Sequence, residues 1–152
     1  MKVAQAQKED AATLSAAMER EYETAFFYRS VLGGSALGPS AALVQTIAND
    51  HDAHRAFLAD AVSNAGGTVP PAKEAYPLPL GLRDDAAVVR AAIDAEEAGL
   101  QAGLRDVSVL ILPQHREGVA AIVAVQAQHV SLLRLTQGLD PVPRAFLGDG
   151  LS

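Results

Sequence analysis

Six polar side chains interrupt otherwise apolar stripes in this sequence of 152 residues, and all six are of types that can hold a cation. Spacings of three and four residues bring side chains onto one helical face. At those spacings one stripe reads Leu14, Met18, Glu21, Ala25, Tyr28, Leu32, and a second reads Val44, Ile47, His51, His54, Leu58. A third sets Glu96 among Val89, Ile93, Leu100, Gly103 and Val107, whereas Glu97 shares a line with Arg90, Asp94, Gln101 and Ser108 and so faces outward. The fourth reads Val119, Ile122, Gln126, His129, Leu133. Two carboxylates, three imidazoles and one amide are therefore directed into a core without lysine or arginine. A buried ionised carboxylate is costly unless it is paired or metal-bound. A divalent cation is the simplest partner, and a proton-sharing polar core is the alternative. Any one of these residues alone reads as a hydrogen-bonded core side chain. Their equivalent positions on four stripes point to metal. His115 lies away from this cluster and is expected at the surface. Tyr28 is expected to pack with a partner for its hydroxyl.

The elements that must position these residues follow from the breakers Gly33-Gly34, Pro39, Gly66-Gly67, Pro70-Pro71, Pro113 and Gly138. Between them the sequence predicts four helices, at about 10–32, 40–64, 84–110 and 113–137. The first starts near Asp10 as a cap and ends at the glycine pair, and Pro113 suits the first turn of the fourth. The short links make two antiparallel hairpins. The segment 65–82, rich in proline and glycine, is too long for a tight turn and fits a crossover running the length of a bundle. The expectation is a single all-α domain, an antiparallel four-helix bundle, with a tail over 139–152 that docks through Phe146 and Leu147.

Aromatic residues are only 5% of the sequence and alanine is abundant, which favours packed helices over strands. The net charge is −6 and the 12 lysines and arginines are scattered, so no phosphate-binding surface, and hence no nucleic-acid partner, is expected. There is no cysteine, so a metal must be held by histidine, carboxylate or amide. The stretch MKVAQAQKED lacks the apolar core of a secretory signal, and no run reaches the ~20 apolar residues of a membrane span. A cytoplasmic location without membrane contact is expected. Alanines at the outer positions Ala16, Ala17, Ala41 and Ala42 would suit helix packing in a homodimer.

The stretches MEREYETAFFYRSVL, IANDHDAHRAFL, AIDAEEAGL and IVAVQAQHVSLLR resemble the ferritin-like superfamily, in particular its bacterial ferritin-like domain proteins, over about residues 11–147. The resemblance implies a bundle in which two helices each bring one Glu and two each bring a Glu-x-x-His, together holding two iron or manganese ions. Glu21 and Glu96 match the single glutamates, and His54 and His129 match the histidines of the paired motifs. His51 and Gln126 stand where the paired motifs have glutamate. Two carboxylates neutralise one divalent ion, so the altered set is expected to hold one ion, of Fe, Mn or Zn, or two if an exogenous anion supplies the missing charge. A nitrogen-rich set favours Zn, and affinity order alone favours Zn or Cu over Fe and Mn. The resemblance implies metal handling or an oxidative-stress role, with binding favoured over turnover. The competing expectation is a structural or interaction bundle that has lost metal-dependent activity. A bundle gated by protonation of His51, His54 and His129 is a third.

Overall fold

The computed structural model describes residues 2–143, and the tail residues Phe146 and Leu147 lie outside them. Four helices make up the described chain: α1 (Val3–Gly33), α2 (Ala41–Asn64), α3 (Asp85–Val109) and α4 (Pro113–Thr136). Asp84 caps α3 by accepting the Ala87 N–H at 2.8 Å, and Pro113 occupies the first turn of α4, where a missing N–H costs nothing.

Asp10 is not the start of α1. The residues before it are good helix formers without glycine or proline, and α1 extends back to Val3. The Asp10 carboxylate instead closes the α3–α4 turn at that end of the bundle. It accepts the N–H groups of Ile111 and Leu112 at 2.8 and 3.0 Å and meets His115 Nδ1 at 2.8 Å. His115 is therefore buried, contrary to the surface position expected from sequence. Burial alone would raise the Asp10 pKa, but these three donors hold it below its ordinary value. Asp10→Ala is expected to lower stability by ~3 kcal/mol, the sum of three hydrogen bonds at about 1 kcal/mol each. Urea unfolding at pH 7 checks this, and a change under ~0.5 kcal/mol would show that the clasp contributes nothing.

A second clasp ties the opposite end. Asp85, at the start of α3, accepts from Gly38 N and Ser40 N at 2.7 and 3.0 Å and from Ser40 Oγ at 2.7 Å. The start of α1 thus lies by the end of α3 and the end of α1 by the start of α3. These contacts make α1 and α3 antiparallel, and α2 and α3 parallel. The chain between α2 and α3 must then travel the length of α2, about 36 Å for its 24 residues. It does so along α1, where Tyr22 donates its hydroxyl to Pro70 O at 3.0 Å and Phe26 packs on Tyr76 with ring centroids 5.7 Å apart.

The interior has two apolar layers. One holds Tyr28, Val31, Ile47, Val89 and Leu133; the other holds Leu14, Met18, Leu58, Val62 and Val119. Ala17 belongs to the second layer, which corrects its assignment to an outer face suited to dimerisation. By length and composition alone α4 could cross a membrane, contrary to expectation, because alanine, valine and leucine dominate it. Its seam of Val119, Ile122, Gln126, His129 and Leu133 is nevertheless buried in the bundle.

Candidate metal centre

Between the two apolar layers all six polar seam residues are buried, each delivered by the spacing that buries its apolar neighbours. Glu97 is only partly buried and Asp94 is exposed, as the α3 stripe requires.

His51 stands at the middle. Its Nδ1 lies 2.6 Å from Glu21 Oε2 and its Nε2 lies 2.8 Å from Glu96 Oε1. A neutral imidazole carries one N–H, so satisfying both carboxylates requires the doubly protonated ring. Burial would depress the His51 pKa, but the hydrogen bonds to Glu21 and Glu96 and their charges raise it to about 10. The Tyr28 ring stacks on it at 5.4 Å, and the Tyr28 hydroxyl donates to Glu96 Oε1 at 2.6 Å, supplying the partner expected for that hydroxyl. Burial and the Glu96 charge push the Tyr28 phenol well above its ordinary value.

Glu96 is fully buried. Burial would raise its pKa, yet the bonds from His129 and His51 hold it near 2. His129 meets Glu96 Oε2 through Nδ1 at 3.2 Å and Asp50 Oδ2 through Nε2 at 3.0 Å. Burial would lower the His129 pKa, but Glu96 and Asp50 raise it. Asp50 escaped the seam pattern because it sits one residue off the buried line. A signal for it exists: a carboxylate commonly orients a metal-binding imidazole through its second nitrogen.

His54 differs from its neighbours. Its Nδ1 is buried without a hydrogen-bond partner and stands 3.8 Å from Glu21 Oε2, too far for a hydrogen bond. Burial is the main reason its pKa is lowered, which leaves a neutral ring with a free lone pair. The Glu21, His51 and His54 donors lie within 4.8 Å of one another, as do those of His51, Glu96 and His129. Gln126 is buried in the same layer but flanks the cluster: a Cβ on Gly99 would stand 2.6 Å from its Nε2.

Comparison with known proteins decides the family. The sequence model of the ferritin-like domain matches residues 9–139. The chain belongs to the ferritin-like domain family. Two solved structures superpose on it. A conserved hypothetical protein from Mycobacterium tuberculosis is 23% identical, with a TM-score of 0.78 over 91% of this chain and 96% of that one. A ferritin-like, diiron-carboxylate protein from Bacillus anthracis is 15% identical, with a TM-score of 0.71 over 90% of this chain and 99% of that one. No curated protein matches the sequence. The ferritin-like bundle is thus shared, and its core in this chain carries the His/Glu groups described above.

The metal-free centre carries a definite pH signature. His51 is raised from 6.5 to about 10, so its pairing stabilises the fold fully below pH 6.5 and is lost as pH climbs through 10. His129 acts with the same sign. Glu96 is lowered from 4.5 to about 2, so its contribution is present above pH 4.5 and lost as pH falls toward 2. His54, lowered from 6.5, opposes folding as it is forced to charge below that value. In EDTA, Tm is expected to peak between pH 4.5 and 6.5 and fall on either side. A Tm still rising at pH 9 would show that His51 is not the cation between the carboxylates.

Proposed function

We propose that this ferritin-like protein binds one divalent metal ion per chain in its core and serves metal handling or protection from oxidative stress rather than oxygen turnover. The observation that carries the reading is the buried, unpartnered Nδ1 of neutral His54 beside Glu21: an orphaned polar atom in a core is costly, and a cation satisfies it. Glu21, His51 and His54 would hold the ion, with Glu96 and His129 as the adjoining group. Both groups use His51, and two carboxylates neutralise a single divalent ion, which favours one ion over two. The mixed nitrogen and oxygen donors suit Zn, Fe or Mn. Bound there, the ion would supply Lewis acidity or, if iron or manganese, one-electron chemistry.

A specific observation supports a second reading, a structural bundle that needs no metal: protonated His51 donates to both carboxylates, and His129, whose pKa is also raised, stands on Glu96 as a second cation. Loading separates the two. The untagged chain, exposed anaerobically to Fe, Mn, Zn, Ni or Cu in turn and desalted, should retain about one ion per chain by elemental analysis, and binding at pH 7 should release about one proton from His51. Retention of two ions would refute the charge argument, and retention of none would leave the structural bundle.

A further inference from the structure

A cavity of about 30 Å³ adjoins Glu21 between α1, α3 and α4, lined by Arg20, Thr24, Gly99, Gly103, Asp106 and Gln126 among others. A void of that size admits a water or a small cation, since one water needs roughly 10–15 Å³. The cavity reaches the candidate centre through Glu21, with Gln126 beside it. Its outer wall is the ion pair between Arg20 on α1 and Asp106 on α3, in which the Arg20 side chain is 38% exposed and that of Asp106 13%. Glycine borders the passage on the α3 side: at Gly99 a Cβ would meet the Gln126 amide at 2.6 Å, and at Gly103 one would meet Val123 Cγ2 at 2.5 Å.

We propose that this cavity is the route by which a divalent cation reaches the bundle core, and that the Arg20–Asp106 ion pair is its gate. The inference rests on the metal-binding reading above and adds the path and its control. With the pair closed, the guanidinium fills the mouth and repels cations. Only the Arg20 end of the pair reaches solvent, Asp106 being mostly buried, so the pair opens by the guanidinium moving outward while Asp106 stays in the wall. When Arg20 swings into solvent, Asp106 is left as a carboxylate facing the arriving ion. Besides Arg20, Asp106 and Glu21, the polar side chains that line the cavity are those of Thr24 and Gln126. Arg20 and Asp106 thus set the rate of loading without contributing to the final ligand set, and removing the gate changes kinetics while leaving stoichiometry untouched.

The test uses Co²⁺ alone as the probe, mixed with the metal-free full chain in a stopped-flow instrument and followed by cobalt d–d absorbance, with bound cobalt counted at equilibrium. Arg20→Gln should load about tenfold faster, an effect within the range that local fields exert on association. Arg90→Gln makes the same charge change at an exposed position of α3 away from the cavity, and should alter the rate less than about twofold. Thr24→Leu, which fills the passage, should load about tenfold more slowly, and all three should reach the wild-type cobalt content. If Thr24→Leu does not fold, Asp106→Asn provides the slow arm, because it removes the receiving carboxylate and leaves the guanidinium at the mouth. Equal rates for Arg20→Gln and Arg90→Gln, or an unchanged rate in the slow arm, would overturn the route while the metal site stands. A wild-type chain that binds no cobalt at equilibrium would overturn both.

Discussion

A chain carrying Glu96→Ala is expected to lose its metal and ~3–5 kcal/mol of stability together, the range for removing one member of a buried charge-paired group. Glu96 is fully buried and meets three partners: the Tyr28 hydroxyl, His51 and His129. Its removal strands the phenol, leaves His51 with Glu21 alone and leaves His129 with half-exposed Asp50. Glu97→Ala, one residue along on the flank of α3, should retain both metal and stability. His54→Ala separates the two effects. Its Nδ1 makes no hydrogen bond, so metal retention should vanish while metal-free stability falls much less than for Glu96→Ala. Elemental analysis after desalting and urea unfolding in EDTA measure both quantities. Equal metal loss from Glu96→Ala and Glu97→Ala would refute the assignment of the α3 face.

The second large effect is expected from His51→Glu combined with Gln126→Glu. These substitutions restore glutamate at the two positions where the chain departs from the ligand set implied by its resemblance to ferritin-like proteins. Four carboxylates would then surround His54 and His129, and the bound metal should rise from one ion per chain to two. The same change removes the cation that His51 supplies, so the metal-free double variant should lose at least ~3 kcal/mol at pH 7 and regain it on loading. Thermal unfolding with and without manganese reads this directly. A double variant that still takes one ion would show that positions 51 and 126 do not face a second metal position.

The layer of polar residues was legible because it follows from local periodicity. The stripes that bury Leu14, Met18 and Tyr28 cannot avoid burying Glu21, and those that bury Ile47 and Leu58 carry His51 and His54 inward with them. The crossover was legible for a similar reason, since proline and glycine between two helical hairpins permit few alternatives. What escaped depends on contacts between distant segments. Asp10 carries the composition of a helix cap, and only the return of the chain at Ile111, Leu112 and His115 converts it into a tertiary clasp. His115 lies at the start of its helix, where solvent exposure is the default, and Asp10 overrides that default. Which of the three histidines holds a proton was equally hidden. A core without lysine or arginine suggests a missing cation, but a ring with a carboxylate at each nitrogen becomes one itself.

The crossover carries a consequence for assembly. Glu21, His51 and His54 belong to the hairpin of α1 and α2, whereas Glu96 and His129 belong to that of α3 and α4. Each hairpin closes over short sequence separations and can form early, carrying half of the centre. The hydrogen bonds of His51 and Tyr28 to Glu96 join the halves, and they form only once the tether laid along α1 has let the hairpins dock. The centre is thus a latch between two preformed halves, and the proton that His51 holds between Glu21 and Glu96 is locked in at the final step of folding.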